Sequence, residues 1–116
     1  MRLRGPFDLK WAGKGKSWEL ISDQPQHPLL KGVGFDQSPR VFWHHFVTPK
    51  PNARVVLKAG SEPTLILGRY GKGQVAALTL SPTGLAGKGE VAWWDWDGWF
   101  PLVRNLFGWS KEEGRQ

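Results

Sequence analysis

The sequence contains no cysteine, which excludes disulfide bonds, thiolate metal sites and cysteine nucleophiles together. It also lacks any apolar run that approaches the ~20 residues of a bilayer span, so we predict no membrane-spanning segment and no membrane partner. The N-terminal segment MRLRGPFDLK carries charge without an apolar run behind it, and so does not match a secretory signal peptide. These absences predict a cytoplasmic location by default.

The composition indicates one folded domain that is rich in turns. Of the 116 residues, 40% are hydrophobic and 22% are charged, which is typical of a globular chain. The 15 glycines and 9 prolines favour turns over long helices. We predict a single domain over residues 1–110 and a polar tail over residues 111–116.

The basic residues outnumber the acidic ones but are spread along the chain. Lys and Arg total 16 against 10 Asp and Glu, which gives a net charge of +6. The longest basic cluster is Lys10, Lys14 and Lys16, set among glycines. Scattered charge of this kind usually marks a solvated surface, so the sequence does not favour a nucleic-acid partner.

The segment 63–82, PTLILGRYGKGQVAALTLSP, predicts a β-hairpin around which the chain is organised. Two apolar, β-prone runs, 64–70 and 74–80, flank a tight turn. Gly71 and Gly73 are the predicted turn residues because glycine adopts the positive φ of hairpin turns without strain.

The remaining elements are predicted to be short strands and one helix. Residues 41–47 and 54–59 are rich in aromatic and β-branched residues and predict two further strands. Residues 28–32 predict a single helical turn. The apolar positions of residues 98–108 recur at helical spacing. One helix covers only part of a sheet, so we expect part of the domain to be missing.

The motifs of nucleotide and metal chemistry are incomplete. Gly15-Lys16-Ser17 matches the end of a P-loop, but the glycine that the motif needs five positions earlier is Lys10. His44 and His45 are adjacent, so on a strand they point to opposite faces and do not share a metal ion. We therefore predict no cofactor and no metal.

The segment VAWWDWDGW contains the best candidate ligand site. Indole rings stack on the faces of sugars, and carboxylates accept hydrogen bonds from sugar hydroxyls. The candidate site residues are Trp93, Trp94, Asp95, Trp96 and Asp97. The alternative is that these tryptophans cover the sheet, because large aromatic side chains usually serve packing.

The order of several motifs resembles the C-terminal half of class I glutamine amidotransferase-like domains, in the branch that includes ThuA-like proteins. The motifs are HPLLKGV, an aromatic strand, ARVVL, the YGKG hairpin and WFPLVRNLFGW, over residues 27–109. The resemblance implies an α/β, flavodoxin-like fold, of which this chain is a C-terminal fragment with a largely antiparallel hairpin region and a terminal helix.

The departures from that family remove its catalytic residues. The family uses a cysteine nucleophile and a downstream His-x-Glu, whereas this chain has no cysteine and no glutamate two residues after any histidine. We expect a non-catalytic piece that acts as a scaffold or binding surface, with an upstream amidotransferase-like half or a larger parent protein as partner. The alternatives are a Trp-lined carbohydrate-binding module and a split enzyme that an upstream chain completes.

Overall fold

The structure, a computed structural model, describes residues 2–3, 9–70 and 73–113. In chain order these residues form the strands β1 (Arg2–Leu3), β2 (Leu9–Trp11), β3 (Trp18–Ile21), β4 (Arg40–Val41), β5 (Trp43–His45), β6 (Val47–Thr48), β7 (Arg54–Ala59), β8 (Glu62–Tyr70), β9 (Gly73–Leu78) and β10 (Leu80–Ser81), followed by the helix α1 (Trp99–Glu113). Two short 3-10 turns, Pro28–Leu30 and Trp93–Asp95, complete the elements.

Every strand pairing in the described parts of the chain is antiparallel; one isolated parallel bridge joins Arg40 and Ala92. Short connections explain the pairings of β7 with β8 and of β8 with β9. Residues 60–61 join β7 to β8, and residues 71–72 join β8 to β9. Because a parallel pair needs a crossover of a dozen or more residues, loops this short permit only antiparallel neighbours.

The pairings run in a circuit and give the sheet a barrel-like curvature. β3 pairs with β7, β7 with β8, and β8 with β9. After β9 the chain continues as β10, which pairs with β5. β4 directly precedes β5 in the chain and pairs with β3, so the order of strands returns to β3. β2 extends the circuit on the outer side of β5.

The core lies between this curved sheet, the 3-10 turns and one face of α1. Leu57, Leu65 and Leu102 are fully buried at its centre. The Nδ2 amide of Asn105 on α1 donates hydrogen bonds to the carbonyls of Leu29 and Lys31, 2.9 and 2.8 Å away. These bonds satisfy carbonyl groups at the end of the first 3-10 turn and fix the helix against it.

Helix α1 has a buried face and an exposed face. Leu102 is buried, whereas Phe100 and Phe107 are 79% and 73% exposed. The helix continues to Glu113, past the predicted end near Gly108. In the described part of the chain, no helix has the length and apolarity needed to cross a bilayer.

The predicted α/β, flavodoxin-like fold is wrong. The described residues form antiparallel sheets with a single α-helix, and no parallel central sheet is present among them. A flavodoxin-like sheet requires βαβ crossovers, and among the described residues no α-helix lies between consecutive strands of the main sheet.

The predicted hairpin is confirmed as β8 and β9. Tyr70 pairs with Gly73, and the register continues to Leu65 opposite Leu78. Gly73 therefore opens the second strand. Gly71, the other predicted turn residue, lies outside the described residues.

Candidate functional site

Two of the three tryptophans predicted to line a ligand site lie in the core. Trp93 and Trp96 are only 4% and 2% exposed. The indole N–H of Trp96 donates to the Gly34 carbonyl at 2.7 Å, and that of Trp93 donates to the Ser81 carbonyl at 3.4 Å. A buried indole whose N–H is satisfied by backbone is a packing residue.

The other members of that segment remain accessible. Trp94 is half-buried and meets Phe42 edge to face, with ring centroids 6.0 Å apart. Asp95 and Asp97 are exposed. The backbone N–H of Asp97 donates to the side-chain carbonyl of Gln37 at 2.8 Å. The segment therefore offers one partly accessible ring and two carboxylates, not a row of exposed indoles.

A different pair of tryptophans forms an aromatic surface at the edge of the sheet. The register of β2 against β5 places Trp11 directly opposite Trp43. The two indoles stack with centroids 5.8 Å apart and planes 17° apart. Trp11 is 49% exposed. Residues directly opposite on antiparallel strands share a face, which explains how distant positions in the sequence form one stacked pair.

The stacked pair forms one wall of a cleft of about 370 Å³. We call this space the Trp11 cleft. It is lined by Trp11, Gly13, Lys14, Gly15, Lys16, Phe42, Trp43, Gly84 and Leu85.

Gly84 allows the loop after β10 to lie directly against Phe42, which lines the cleft. Its φ is +114°, and a Cβ added there would lie 2.6 Å from the Cβ of Phe42. Only glycine fits this backbone conformation and this close approach. The next residue, Leu85, is 92% exposed at the rim of the cleft.

Glu90 connects the loop before β3 to the loop after β10, and residues of both loops line the cleft. Its carboxylate accepts hydrogen bonds from the Ser17 hydroxyl at 3.0 Å and from the Gly87 N–H at 2.7 Å. The bonds from Gly87 and Ser17 hold the pKa of the Glu90 carboxyl below its ordinary value, and Arg40, 3.8 Å away, acts in the same direction. The carboxylate thus ties the loop before β3 to the loop after β10.

The charged side chains that line the cleft are positive. Lys14 and Lys16 are exposed and are the charged members of the described lining. The remaining side chains of that lining are aromatic or aliphatic, and none is a carboxylate, imidazole, amide or hydroxyl. The cleft therefore combines ring surfaces with positive charge.

His44 lies outside the cleft and is fully buried beside Trp18, with ring centroids 4.7 Å apart. Its Nδ1 lies 3.2 Å from the His45 carbonyl and donates to it, while Nε2 has no hydrogen-bond partner among the described residues. Burial is the main cause that lowers the pKa of His44. No group of three or more metal-ligating side chains occurs within the part of the chain that the structure covers.

The sequence contained only a weak signal of the Trp11 cleft. The alternation of Phe7, Leu9 and Trp11 predicts a strand, and the aromatic run at residues 41–47 predicts another. What it did not provide is the register that places Trp11 opposite Trp43. Lys14 and Lys16 belong to the longest basic cluster of the sequence, and Lys16 to an incomplete P-loop, but neither pattern indicates the neighbouring indole rings.

Comparison with known proteins gives one fold relative and no family. No family model matches the sequence, and no curated protein matches it. The chain is similar in structure to the cytoplasmic protein STM3548 from Salmonella typhimurium, with a TM-score of 0.74 and 20% identity. The match covers 95% of this chain and 42% of the Salmonella protein. At this identity the likeness concerns the fold alone, and this chain spans less than half of the neighbour's length. These comparisons leave the amidotransferase-like resemblance untested and give nothing that indicates that family.

Proposed function

We propose that this chain is a binding module that holds a ring-bearing ligand against Trp11 in the Trp11 cleft. The observation that carries the proposal is the indole of Trp11, about half exposed and stacked on Trp43. The stacking fixes the orientation of Trp11 before a ligand arrives. A large aromatic face held in place at the wall of a cleft suits the stacking of a planar ring or a sugar face.

The lining supports binding more than catalysis. General acid–base chemistry needs a carboxylate, imidazole or similar group positioned near the reacting atoms. The described lining contributes aromatic rings, glycines, a leucine and two exposed lysines. It contributes no paired nucleophile and base. The proposal therefore keeps the non-catalytic role expected from the sequence and places it at a different surface.

A scaffold role is the second candidate function, and a separate surface supports it. Phe100 and Phe107 project from the outer face of α1, where both are mostly exposed. Large apolar side chains exposed together on a helix often mark a contact with another folded unit. The Salmonella protein is more than twice as long as the matched region, so we also propose that this domain works beside further structure, in the cytoplasm as that protein does.

The carbohydrate alternative from the sequence is retained only at Trp94, Asp95 and Asp97. These residues combine a partly accessible ring with two exposed carboxylates, which are the groups that a neutral sugar needs. Binding of a neutral sugar there would be independent of Trp11.

Calorimetric titration tests the proposed function. The wild-type chain is titrated with a neutral cello-oligosaccharide, an oligogalacturonate and thymidine monophosphate, and the titrations are repeated on Trp11→Ala. Phe100→Ala is the matched control, because it removes an exposed aromatic ring that does not line the cleft. We expect Trp11→Ala to weaken binding of whichever ligand the wild type takes by the worth of one stacked ring, with Phe100→Ala unchanged. Equal binding by wild type and Trp11→Ala would overturn the proposal.

A further inference from the structure

We infer that the ligand of the Trp11 cleft is a nucleotide unit, whose base stacks on Trp11 and whose phosphate contacts Lys14 and Lys16. This inference rests on the proposed function and adds the chemical class of the ligand. The positive charge of the cleft indicates the chemical class of the ligand. Both charged side chains of its described lining are lysines, and both lie in the glycine loop beside Trp11. A ligand that uses the whole lining carries a ring and an anionic group together.

The side chains of the cleft do not suit a neutral sugar. Sugar hydroxyls are both donors and acceptors, so their recognition uses carboxylates, amides and hydroxyls. The described lining has none of these side chains. Lysine is a donor only. Aromatic rings with neighbouring lysines are instead the combination that single-stranded nucleic acids use, with bases stacked on rings and cations along the phosphates.

Acidic groups close to the cleft would repel a phosphate. Glu90 is the carboxylate beside the cleft loops, and it already accepts hydrogen bonds from Ser17 and Gly87 and lies near Arg40. Asp95 and Asp97, the carboxylates of the segment predicted to bind a ligand, are not part of the lining. The net charge of +6 adds a long-range attraction for a polyanion.

The volume of about 370 Å³ suits one nucleotide, and the cleft is open to solvent. The shared chemistry is thus a base and a phosphate, either as a free nucleotide or as one unit of a single strand. A strand gains further phosphate contacts from the surrounding positive charge, so the two sources differ in affinity. Octathymidylate and thymidine monophosphate distinguish them.

The test measures the binding of octathymidylate, thymidine monophosphate, an oligogalacturonate and phosphatidylserine vesicles at several salt concentrations. We expect octathymidylate to bind, with an affinity that falls as salt rises. Two phosphate contacts predict a slope of about −1.4 in a plot of log affinity against log salt, from the relation for single strands. Trp11→Ala is expected to weaken binding about 5-fold to 150-fold, the range for loss of one stacked base.

The lysine pair is tested by Lys14→Ala/Lys16→Ala against the control Lys31→Ala/Lys50→Ala. Both double variants lower the net charge equally, but Lys31 and Lys50 are exposed outside the cleft. The cleft variant is expected to flatten the salt slope, and the control to keep most of it. Thermal melts identify any variant that fails to fold. If the cleft lysine variant fails to fold, the result for Trp11→Ala decides, and if Trp11→Ala fails to fold, the lysine variants decide.

The outcomes separate the inference from the proposed function. Binding of oligogalacturonate but of neither nucleotide probe, lost in Trp11→Ala, would overturn the nucleotide and leave the cleft as the site. Nucleotide binding that is equal in the cleft and control lysine variants would also overturn the inference. Binding of the vesicles alone would indicate an anionic membrane surface as the partner and would overturn both. Absence of binding by every probe would likewise contradict both.

Discussion

The two groups of tryptophans in this molecule differ in what surrounds their indole rings. Trp93 and Trp96 lie close together in the sequence, but they are buried and donate their N–H groups to backbone carbonyls. Trp11 and Trp43 lie far apart in the sequence, yet they stack at an accessible cleft. A dense run of aromatic residues therefore marks a core as readily as a site. Exposure and charged neighbours distinguish the two.

The largest difference between the two groups is expected in stability. Trp96→Ala removes a buried ring that packs on Phe35 and a hydrogen bond to Gly34, so it should destabilise the fold by about 3–5 kcal/mol. Trp11→Ala should cost about 1 kcal/mol, because half of that ring already faces water. Urea denaturation of both variants measures the difference. Equal losses would show that Trp11 is as much a core residue as Trp96.

The next largest effect concerns the loop over Phe42. Gly84 and Gly15 both have positive φ, but only the Cβ of an alanine at position 84 would clash with Phe42. Gly15→Ala is therefore the control for backbone strain in the stability measurement only, because Gly15 itself lines the cleft. We expect Gly84→Ala to destabilise the domain by about 1–3 kcal/mol and to weaken ligand binding, whereas Gly15→Ala costs about 1 kcal/mol. Melting curves that coincide for the two variants would contradict the close approach of Gly84 to Phe42.

A third prediction concerns pH and the buried imidazole of His44. Its pKa is lowered in the fold mainly by burial; the hydrogen bond to the His45 carbonyl and the charge of Glu62 oppose this change, and the charges of Lys10 and the His45 side chain add to it. As the pH falls below the ordinary value of 6.5, the unfolded chain takes up the proton first, so stability should fall. The loss is about 1.4 kcal/mol for each unit by which the pKa is lowered.

Denaturation at several pH values measures this effect in His44→Gln and in the neighbouring control His45→Gln. The pKa of His27 is lowered as well, by burial and by Arg54, so part of the pH dependence should remain in both variants. A smaller slope is expected only in His44→Gln. The prediction fails if the two variants and the wild type lose stability in parallel.

The smallest predicted effect tests the connection between the cleft loops. Ser17→Ala removes the hydroxyl that donates to Glu90 and changes no charge. Loss of one hydrogen bond, with a net worth of about 0.5–1 kcal/mol, should weaken octathymidylate binding about twofold to fivefold. Thr83→Ala, which removes an exposed hydroxyl of the neighbouring loop, is the control. An unchanged affinity in Ser17→Ala would show that Glu90 does not position the cleft.

Local structure was predictable from this sequence, whereas the arrangement of strands was not. The hairpin of β8 and β9 followed from two β-prone runs around a glycine turn, and β7 followed from residues 54–59. Both depend on neighbours in the chain. The pairing of Trp11 with Trp43, and of Leu20 with Ala59, depends on contacts between distant segments. No local pattern determines such a register.

The error in the fold class has a related cause. The resemblance rested on the hairpin and the terminal helix, which are short elements that different folds share. The helix α1 and the segment around Trp93 cover the sheet from one side, so no second layer of helices is needed for the described core. The strand that breaks at Phe42 and Phe46 lets the sheet curve back on itself.

Nuclear magnetic resonance of the indole N–H groups during titration with octathymidylate follows both groups of tryptophans at once. We expect the resonances of Trp11 and Trp43 to shift together as ligand is added, while those of Trp93 and Trp96 stay in place and resist exchange with solvent. Shifts confined to Trp93, Trp94 or Trp96, with Trp11 unaffected, would contradict this expectation and would return the binding site to the segment predicted from the sequence.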